Sequence, residues 1–197
     1  MKVLIIDNYD SFTFNLAQMV NENGKYEADI IYSDCIDADT IEHYNKIIFS
    51  PGPGIPSDSG IMQYIVNRFG NRKSILGICL GHQAIAEAFG GKIYNLGRPC
   101  HGIKQRMRIV DRTDYIFRGL PSEIYVGLYH SWAVSESGLP AGLRITALST
   151  SGVIMAVSHV SYDIKGVQFH PESVMTDTGS RIMNNWLDHK FNLKAGC

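Results

Sequence analysis

A cysteine stands between two glycines in Gly77-Ile78-Cys79-Leu80-Gly81-His82-Gln83, after an apolar run and before an amphipathic one. This arrangement is typical of a nucleophile elbow, in which a strand turns sharply into a helix. The glycines let the backbone pass close to its neighbours, while the turn pushes the cysteine side chain outward. The N-terminus of the following helix carries partial positive charge and favours thiolate over thiol. The pattern predicts that Cys79 is a nucleophile.

A candidate base for this nucleophile lies downstream, in Gln168-Phe169-His170-Pro171-Glu172. His170 could take a proton and later return it to the leaving group. Glu172 could hold the imidazole and stabilise its charged form, as the acid does in a Ser-His-Asp triad. A cysteine after a strand is usually a core residue, and a lone His-Pro-Glu is usually a surface turn. Their joint occurrence, each at a predicted strand end, favours catalysis.

Composition limits the class of protein. The 197 residues are enough for one domain with a sizeable core, and we expect a single domain over 1–197. The net charge of −1 argues against nucleic acid or an anionic membrane as partner. The first apolar run stops at Asp7, too early for a signal peptide or a membrane span. Four scattered cysteines without Cys-x-x-Cys predict a reducing cytoplasm.

The first half of the chain alternates predicted strands with predicted helices. We expect strands at 2–7, 28–32, 46–50 and 74–78, and helices near 12–20, 39–44, 61–69 and 80–89. The second half reads as five strands, at 103–110, 124–129, 143–148, 153–159 and 165–169, before a helix over 177–191. These patterns predict an α/β fold: a doubly wound, mostly parallel sheet with helices on both faces, which the later strands extend with antiparallel pairs or accompany as an added small antiparallel sheet.

Ligands of an open α/β sheet bind outside the carboxyl ends of its strands. The loop Asp7-Asn8-Tyr9-Asp10-Ser11, the turn Pro51-Gly52-Pro53-Gly54, and Cys79 all follow predicted strands, so they should line one rim. The strand ending at Phe169 would deliver His170 to the same rim. Backbone N–H groups of Gly52 to Gly54 and of Leu80 could then form an oxyanion hole, although a Pro-Gly-Pro-Gly segment is most often only a rigid loop.

No metal site is predicted. Cys79 and His82 stand three residues apart, but no further ligand accompanies them at suitable spacing. Cys35, Cys100 and Cys197 have no base in an obvious position, and we expect them to be inert.

The Cys79 and His170-Pro171-Glu172 segments together resemble the class I (triad) glutamine amidotransferases, and the resemblance covers nearly the whole chain. It implies the fold of that family and an enzyme whose cysteine forms a γ-glutamyl thioester with L-glutamine and releases ammonia to a synthase. It also implies no cofactor in this chain, with Mg²⁺ belonging to the partner synthase.

Three segments narrow the resemblance: Asp7-Asn8-Tyr9-Asp10-Ser11-Phe12, Ser50-Pro51-Gly52-Pro53-Gly54 and Tyr129-His130-Ser131-Trp132. They are similar to the glutaminase subunits of anthranilate synthase and aminodeoxychorismate synthase, which imply a larger chorismate-using synthase as partner. We favour anthranilate synthase only because it is the commoner assignment. A GMP synthase glutaminase would be expected to continue into a further domain, whereas this sequence stops at Cys197.

The resemblance also assigns glutamine contacts by position. Gly52, Pro53 and Gly54 would line the oxyanion turn, and Gln83 would contact the substrate. Ser131 and Trp132 would bind the α-amino and α-carboxylate ends of glutamine, largely through backbone groups. A relative more often has leucine at position 132, which puts a side-chain role for Trp132 in doubt.

Two rival functions remain. A stand-alone cysteine hydrolase of the same fold, such as a peptidase or γ-glutamyl hydrolase, would need no partner. A non-enzymatic regulatory subunit would keep only the fold, and the presence of Cys79, His170 and Glu172 argues against it.

Overall fold

The computed structural model describes residues 1–58 and 60–190. Within them the strands are β1 (Lys2–Asp7), β2 (Glu27–Tyr32), β3 (Lys46–Phe49), β4 (Ser74–Ile78), β5 (Ile93–Ile109), β6 (Glu123–Val134), β7 (Leu143–Ser149), β8 (Ile154–His159) and β9 (Ile164–Val167). The α-helices are α1 (Thr13–Glu22), α2 (Ala38–Glu42), α3 (Ile61–Phe69), α4 (Leu80–Ala88) and α5 (Gly179–Asp188). None of these helices is long and apolar enough to cross a membrane.

All the described strands belong to one sheet, in the order β2-β1-β3-β4-β9-β8-β7-β5-β6. The first five are parallel neighbours, and each later strand pairs antiparallel with the one before it. The α/β prediction is confirmed. The antiparallel strands, however, extend the main sheet instead of forming a separate small one, and the sheet is mixed rather than mostly parallel.

Helices cover both faces of the parallel half. The residues of β1 alternate between two cores, with Val3 and Ile5 in one and Leu4 and Ile6 in the other, as a period of two requires. Helices α1 and α5 contribute to the first core, whereas α3 and α4 contribute to the second. The strands buried on both sides are short and apolar, as expected for the centre of such a sheet.

Strand β5 begins ten residues before its predicted start, and β6 also runs further than predicted, to Val134. The early part of β5 is mostly exposed and carries Gly97 and Gly102 at φ of 71° and 67°. The pairing with β6 shifts between Asn95 and Cys100, and again between His101 and Ile103. Irregular, exposed pairing of this kind leaves no period-two hydrophobic pattern for sequence analysis to detect.

Candidate active site

Cys79 occupies a strained turn at the end of β4. Its φ of 52° and ψ of −99° are rare for a residue with a side chain, and it is the N-cap of α4. A Cβ at Gly81 would lie 2.6 Å from the Cβ of Phe49 and 2.7 Å from its carbonyl oxygen. A Cβ at Gly77 would collide with the carbonyl group of Gly81. Both glycines are therefore required for α4 to pass close to β3 and β4.

His170 and Glu172 form a buried pair, with Nδ1 of His170 2.6 Å from Oε1 of Glu172. Because a carboxylate only accepts hydrogen bonds, Nδ1 is the donor and Nε2 is left as the other functional nitrogen. Nε2 has no hydrogen-bond partner among residues 1–58 and 60–190. The backbone of His170 is held by Gly127 and by the hydroxyl of Thr176, which donates to the His170 carbonyl at 2.6 Å.

The charge state of His170 is set by its neighbours. Burial by itself lowers the pKa of the imidazole, but the Cys79 sulfur and the Glu172 carboxylate outweigh it and raise the pKa to about 10. A proton on His170 is therefore favoured while an anionic sulfur is nearby. This is the electrostatic arrangement that a cysteine nucleophile and its general acid require.

The turn at Gly52 packs directly against the nucleophile turn. A Cβ at Gly52 would lie 2.6 Å from the Cβ of Asn8 and 2.9 Å from Cδ2 of Leu80, the residue after Cys79. The hydroxyl of Ser50 accepts from the backbone N–H of Asn8 at 2.9 Å and so joins the first loop to this turn. The ends of β1, β3 and β4 thus meet at one rim, as predicted.

A cavity of about 460 Å³ opens at this rim, within the range of small-molecule sites. Its lining includes Cys79 and every sequence-predicted glutamine contact: Gly52, Pro53, Gly54, Leu80, Gln83, Ser131 and Trp132. Ile55, Asp58, Tyr129 and His130 complete the wall. Widely separated parts of the sequence therefore surround one space beside the sulfur.

Sequence reasoning gave no role to Gln168 or to the ring of Tyr129. The side-chain Nε2 of Gln168 lies 3.6 Å from the Cys79 sulfur. The Tyr129 ring meets the His170 ring edge-on at a centroid distance of 4.9 Å. A polar residue within the apolar strand predicted over 165–169, two residues before the candidate base, was a signal for Gln168. The position of Tyr129 depends on the pairing of Gly127 with His170, which no local pattern reveals.

His82 is fully buried and lies outside the cavity wall. Burial, and to a smaller extent the nearby His130, lowers the pKa of His82 to about 3, so it is neutral. A Cβ at Gly166 would lie 2.6 Å from its Nδ1, so the ring packs against the backbone of β9. Its place in the core matches a structural role rather than metal binding.

The remaining cysteines differ in surroundings. Cys35 is exposed and its thiol donates to the carboxylate of Asp34, which raises the pKa of the thiol. Cys100 is partly buried. Cys197 lies outside the described residues.

Comparison with known proteins gives the same family as the sequence motifs. Residues 4–190 match the family model for glutamine amidotransferase class-I. The chain is 45% identical to a putative anthranilate synthase component II of Haemophilus influenzae, covering 95% of this chain and 96% of the relative. It is 40% identical to the aminodeoxychorismate synthase component 2 of Escherichia coli, covering 94% and 98%.

A solved structure from Thermoplasma acidophilum, described as part of a putative GMP synthase, superposes with a TM-score of 0.85 at 27% identity. The match covers 95% of this chain and 92% of that one. A protein with that description can therefore have much the same length as this chain, so length does not separate the two types. What distinguishes this chain from a GMP synthase subunit is its sequence similarity to the component II relatives.

Proposed function

This chain belongs to the class-I glutamine amidotransferases, and from that premise we propose that it is the glutaminase subunit of a chorismate-using synthase. It hydrolyses L-glutamine and delivers ammonia to a larger synthase subunit. The partner is most simply anthranilate synthase, aminodeoxychorismate synthase, or both, since the chain resembles the second component of each. The reaction proposed for this chain needs no metal or organic cofactor, and Mg²⁺ belongs to the synthase.

The chemistry follows from the triad. The Cys79 sulfur attacks the γ-carboxamide carbon of glutamine, and N–H groups of the Gly52–Gly54 turn and of Leu80 stabilise the resulting oxyanion. His170 gives its proton to the nitrogen, which leaves as ammonia, and a γ-glutamyl thioester remains. Water then gives a proton to His170 and attacks the thioester. The sulfur leaves as thiolate and glutamate is released.

The contacts around Gln83 refine its proposed substrate role. Both hydrogens of its Nε2 are directed at protein acceptors, since the backbone oxygen of Trp132 lies at 2.8 Å and Oε1 of Gln168 at 3.2 Å. Only Oε1 of Gln83 is left for a ligand in the cavity, where it could accept from the substrate. The carbonyl of Trp132 already accepts hydrogen bonds from Gln83 and His130. We therefore propose that backbone N–H groups and Ser131, more than this carbonyl, bind the α-amino and α-carboxylate groups of glutamine.

The observation that carries this proposal is the strained Cys79 turn in the cavity wall, with a buried His170–Glu172 pair near enough to the sulfur for Cys79 to raise the pKa of His170. Its test is synthesis by the reconstituted complex with either glutamine or an ammonium salt as nitrogen source. Cys79→Ala should abolish the glutamine-dependent reaction and leave the ammonium-dependent one unchanged, while the control Cys100→Ala should keep both. Loss of both reactions in Cys79→Ala would mean that Cys79 is needed for assembly.

A second measurement separates this function from a stand-alone hydrolase. We expect slow glutamine hydrolysis by the isolated chain and faster hydrolysis once a chorismate-using synthase binds, more so with chorismate. The turn 51–58 could be repositioned by a bound synthase, because it carries the proposed oxyanion N–H groups and the Asp58 carboxylate, which accepts from the N–H of Ile55 at 3.0 Å, lies against Gly54. Full activity of the isolated chain, unchanged by either synthase, would favour the stand-alone hydrolase.

A further inference from the structure

We propose that Gln168 is a further catalytic residue, whose side-chain N–H donates a hydrogen bond to the Cys79 sulfur, and that Gln83 dictates its orientation. This inference rests on the proposed cysteine chemistry. Gln168 is fully buried, and its Nε2 lies 3.6 Å from Sγ, within hydrogen-bond range for sulfur. It follows β9 directly, next to the strand that carries the nucleophile.

The backbone keeps the two residues side by side. The N–H of Cys79 donates to the carbonyl of Val167 at 2.8 Å, and the N–H of Gln168 donates to the carbonyl of Met155 at 2.9 Å. The backbone around Gln168 is thus tied to strands on both sides. The approach of its amide to the sulfur is a consequence of the sheet.

The direction of the amide follows from a chain of hydrogen bonds that begins at a backbone carbonyl. The oxygen of Trp132 can only accept, so the end of Gln83 that lies 2.8 Å from it must be the NH₂ group. The same NH₂ group lies 3.2 Å from Gln168, so the near atom of Gln168 must be its oxygen. The other end of Gln168, which faces Cys79, is then NH₂.

This polarity matters because the sulfur is anionic twice in the cycle. It carries negative charge before it attacks glutamine and again when it leaves the thioester. An N–H donor stabilises the anion, whereas an amide oxygen in the same position would repel it. Full burial of Gln168 means that water cannot readily replace the donor. Gln83 is a positioning residue in this arrangement.

The test is the rate of Cys79 alkylation by iodoacetamide in the isolated chain, followed by mass spectrometry across pH. Gln168→Met keeps the length of the side chain and removes the donor. Since hydrogen bonds to charged groups are stronger than neutral ones and this one is long, we expect alkylation about tenfold slower at neutral pH. The rate should recover at high pH, so the profile shifts upward by about one pH unit.

Gln168→Glu places a carboxylate by the sulfur and should slow alkylation more than Gln168→Met. The matched control is Gln63→Met, a partly buried glutamine bonded to Glu87 instead, which should alkylate as the unaltered chain does. Alkylation of Cys100 in each sample reports whether the fold is intact. If Gln168→Met does not fold, Gln83→Met removes the group that orients Gln168 and keeps Gln168 itself, so it should shift the profile in the same direction.

An unchanged pH profile in a folded Gln168→Met or Gln83→Met variant would overturn the proposal and leave Gln168 as a core-filling residue. The assay needs neither glutamine nor a synthase. A chain that alkylates as expected but never hydrolyses glutamine would therefore contradict the proposed function and not this inference.

Discussion

The backbone N–H of His170 donates to the carbonyl of Gly127 at 3.1 Å, which joins the candidate base to the middle of β6. A Cβ at Gly127 would lie 2.8 Å from the hydroxyl oxygen of Ser173, so this close contact requires a glycine, which has no side chain. Strand β6 also carries Ser131 and Trp132. The antiparallel half of the sheet thus connects the candidate base to the wall of the cavity, while the parallel half supplies the candidate nucleophile.

Replacing Glu172 with Gln should reduce glutamine hydrolysis less than replacing His170 with Ala. Glutamine can still accept from Nδ1 and hold the ring, but it cannot stabilise the imidazolium, whereas His170→Ala removes the base. By analogy with a serine triad, we expect losses in kcat of about 10⁴-fold and about 10⁶-fold. Steady-state rates in the assembled complex measure both. A greater loss in Glu172→Gln would mean that the two roles are assigned wrongly.

An electrophilic glutamine analogue should label the chain once, on Cys79. Cys35 is more exposed, but the Asp34 carboxylate raises the pKa of its thiol and reduces its reactivity at neutral pH. Peptide mapping after labelling identifies the modified residue, and prior incubation with glutamine should protect it. A label on Cys35, Cys100 or Cys197 would contradict the assignment.

Gly81→Ala should destabilise the protein even though alanine is the better helix former. In an open helix position the change would stabilise by up to about 1 kcal/mol. Here the new Cβ would meet the backbone of Phe49, so we expect a loss of about 1–3 kcal/mol in the free energy of unfolding. Urea denaturation measures it. Gly142→Ala, whose Cβ would meet only the end of the His159 side chain, is the control. Equal stability of the two variants would argue against the close contact of α4 with β3.

Acid should destabilise the protein partly through His82. Its pKa is about 3 in the folded state and near 6.5 when unfolded, so between these values the unfolded chain binds the extra proton. Stability therefore falls as the pH falls below about 6.5, by up to about 1.4 kcal/mol per pH unit from this group. In His82→Leu the dependence of the unfolding free energy on pH should be shallower. Urea denaturation at several pH values from 7 to 4 provides the comparison, and an unchanged slope would refute the burial effect.

His170 acts in the opposite sense, because its pKa is raised in the folded state to about 10. The contribution of His170 to the free energy of unfolding is fully present below about pH 6.5 and is lost as the pH rises through about 10. The two histidines therefore limit stability from opposite sides of neutral pH. Measurements between pH 8 and 10 on His170→Ala would isolate this second effect.

The sequence by itself determined the parallel strands and the turn at Cys79, and it supplied the three residues that we propose as a triad. Each of these depends on local spacing: apolar runs of strand length, glycines two residues on either side of the nucleophile, and a histidine two residues before a glutamate. Short-range sterics decide such features, so a single sequence carries them. The position of Gly52 at this rim followed once the strand ends were assumed to meet, whereas Gln83 and Ser131 were placed at the site by the family resemblance.

The tertiary structure alone decided how the two halves join and which groups face the sulfur. Strand β9 inserts beside β4 although 85 residues separate Ile78 from Ile164 in the chain numbering, and this pairing brings Gln168 to Cys79. The continuous mixed sheet, the irregular start of β5 and the direction of the Gln168 amide have the same origin. They depend on hydrogen bonds between distant backbone segments, which no local pattern in the sequence reveals.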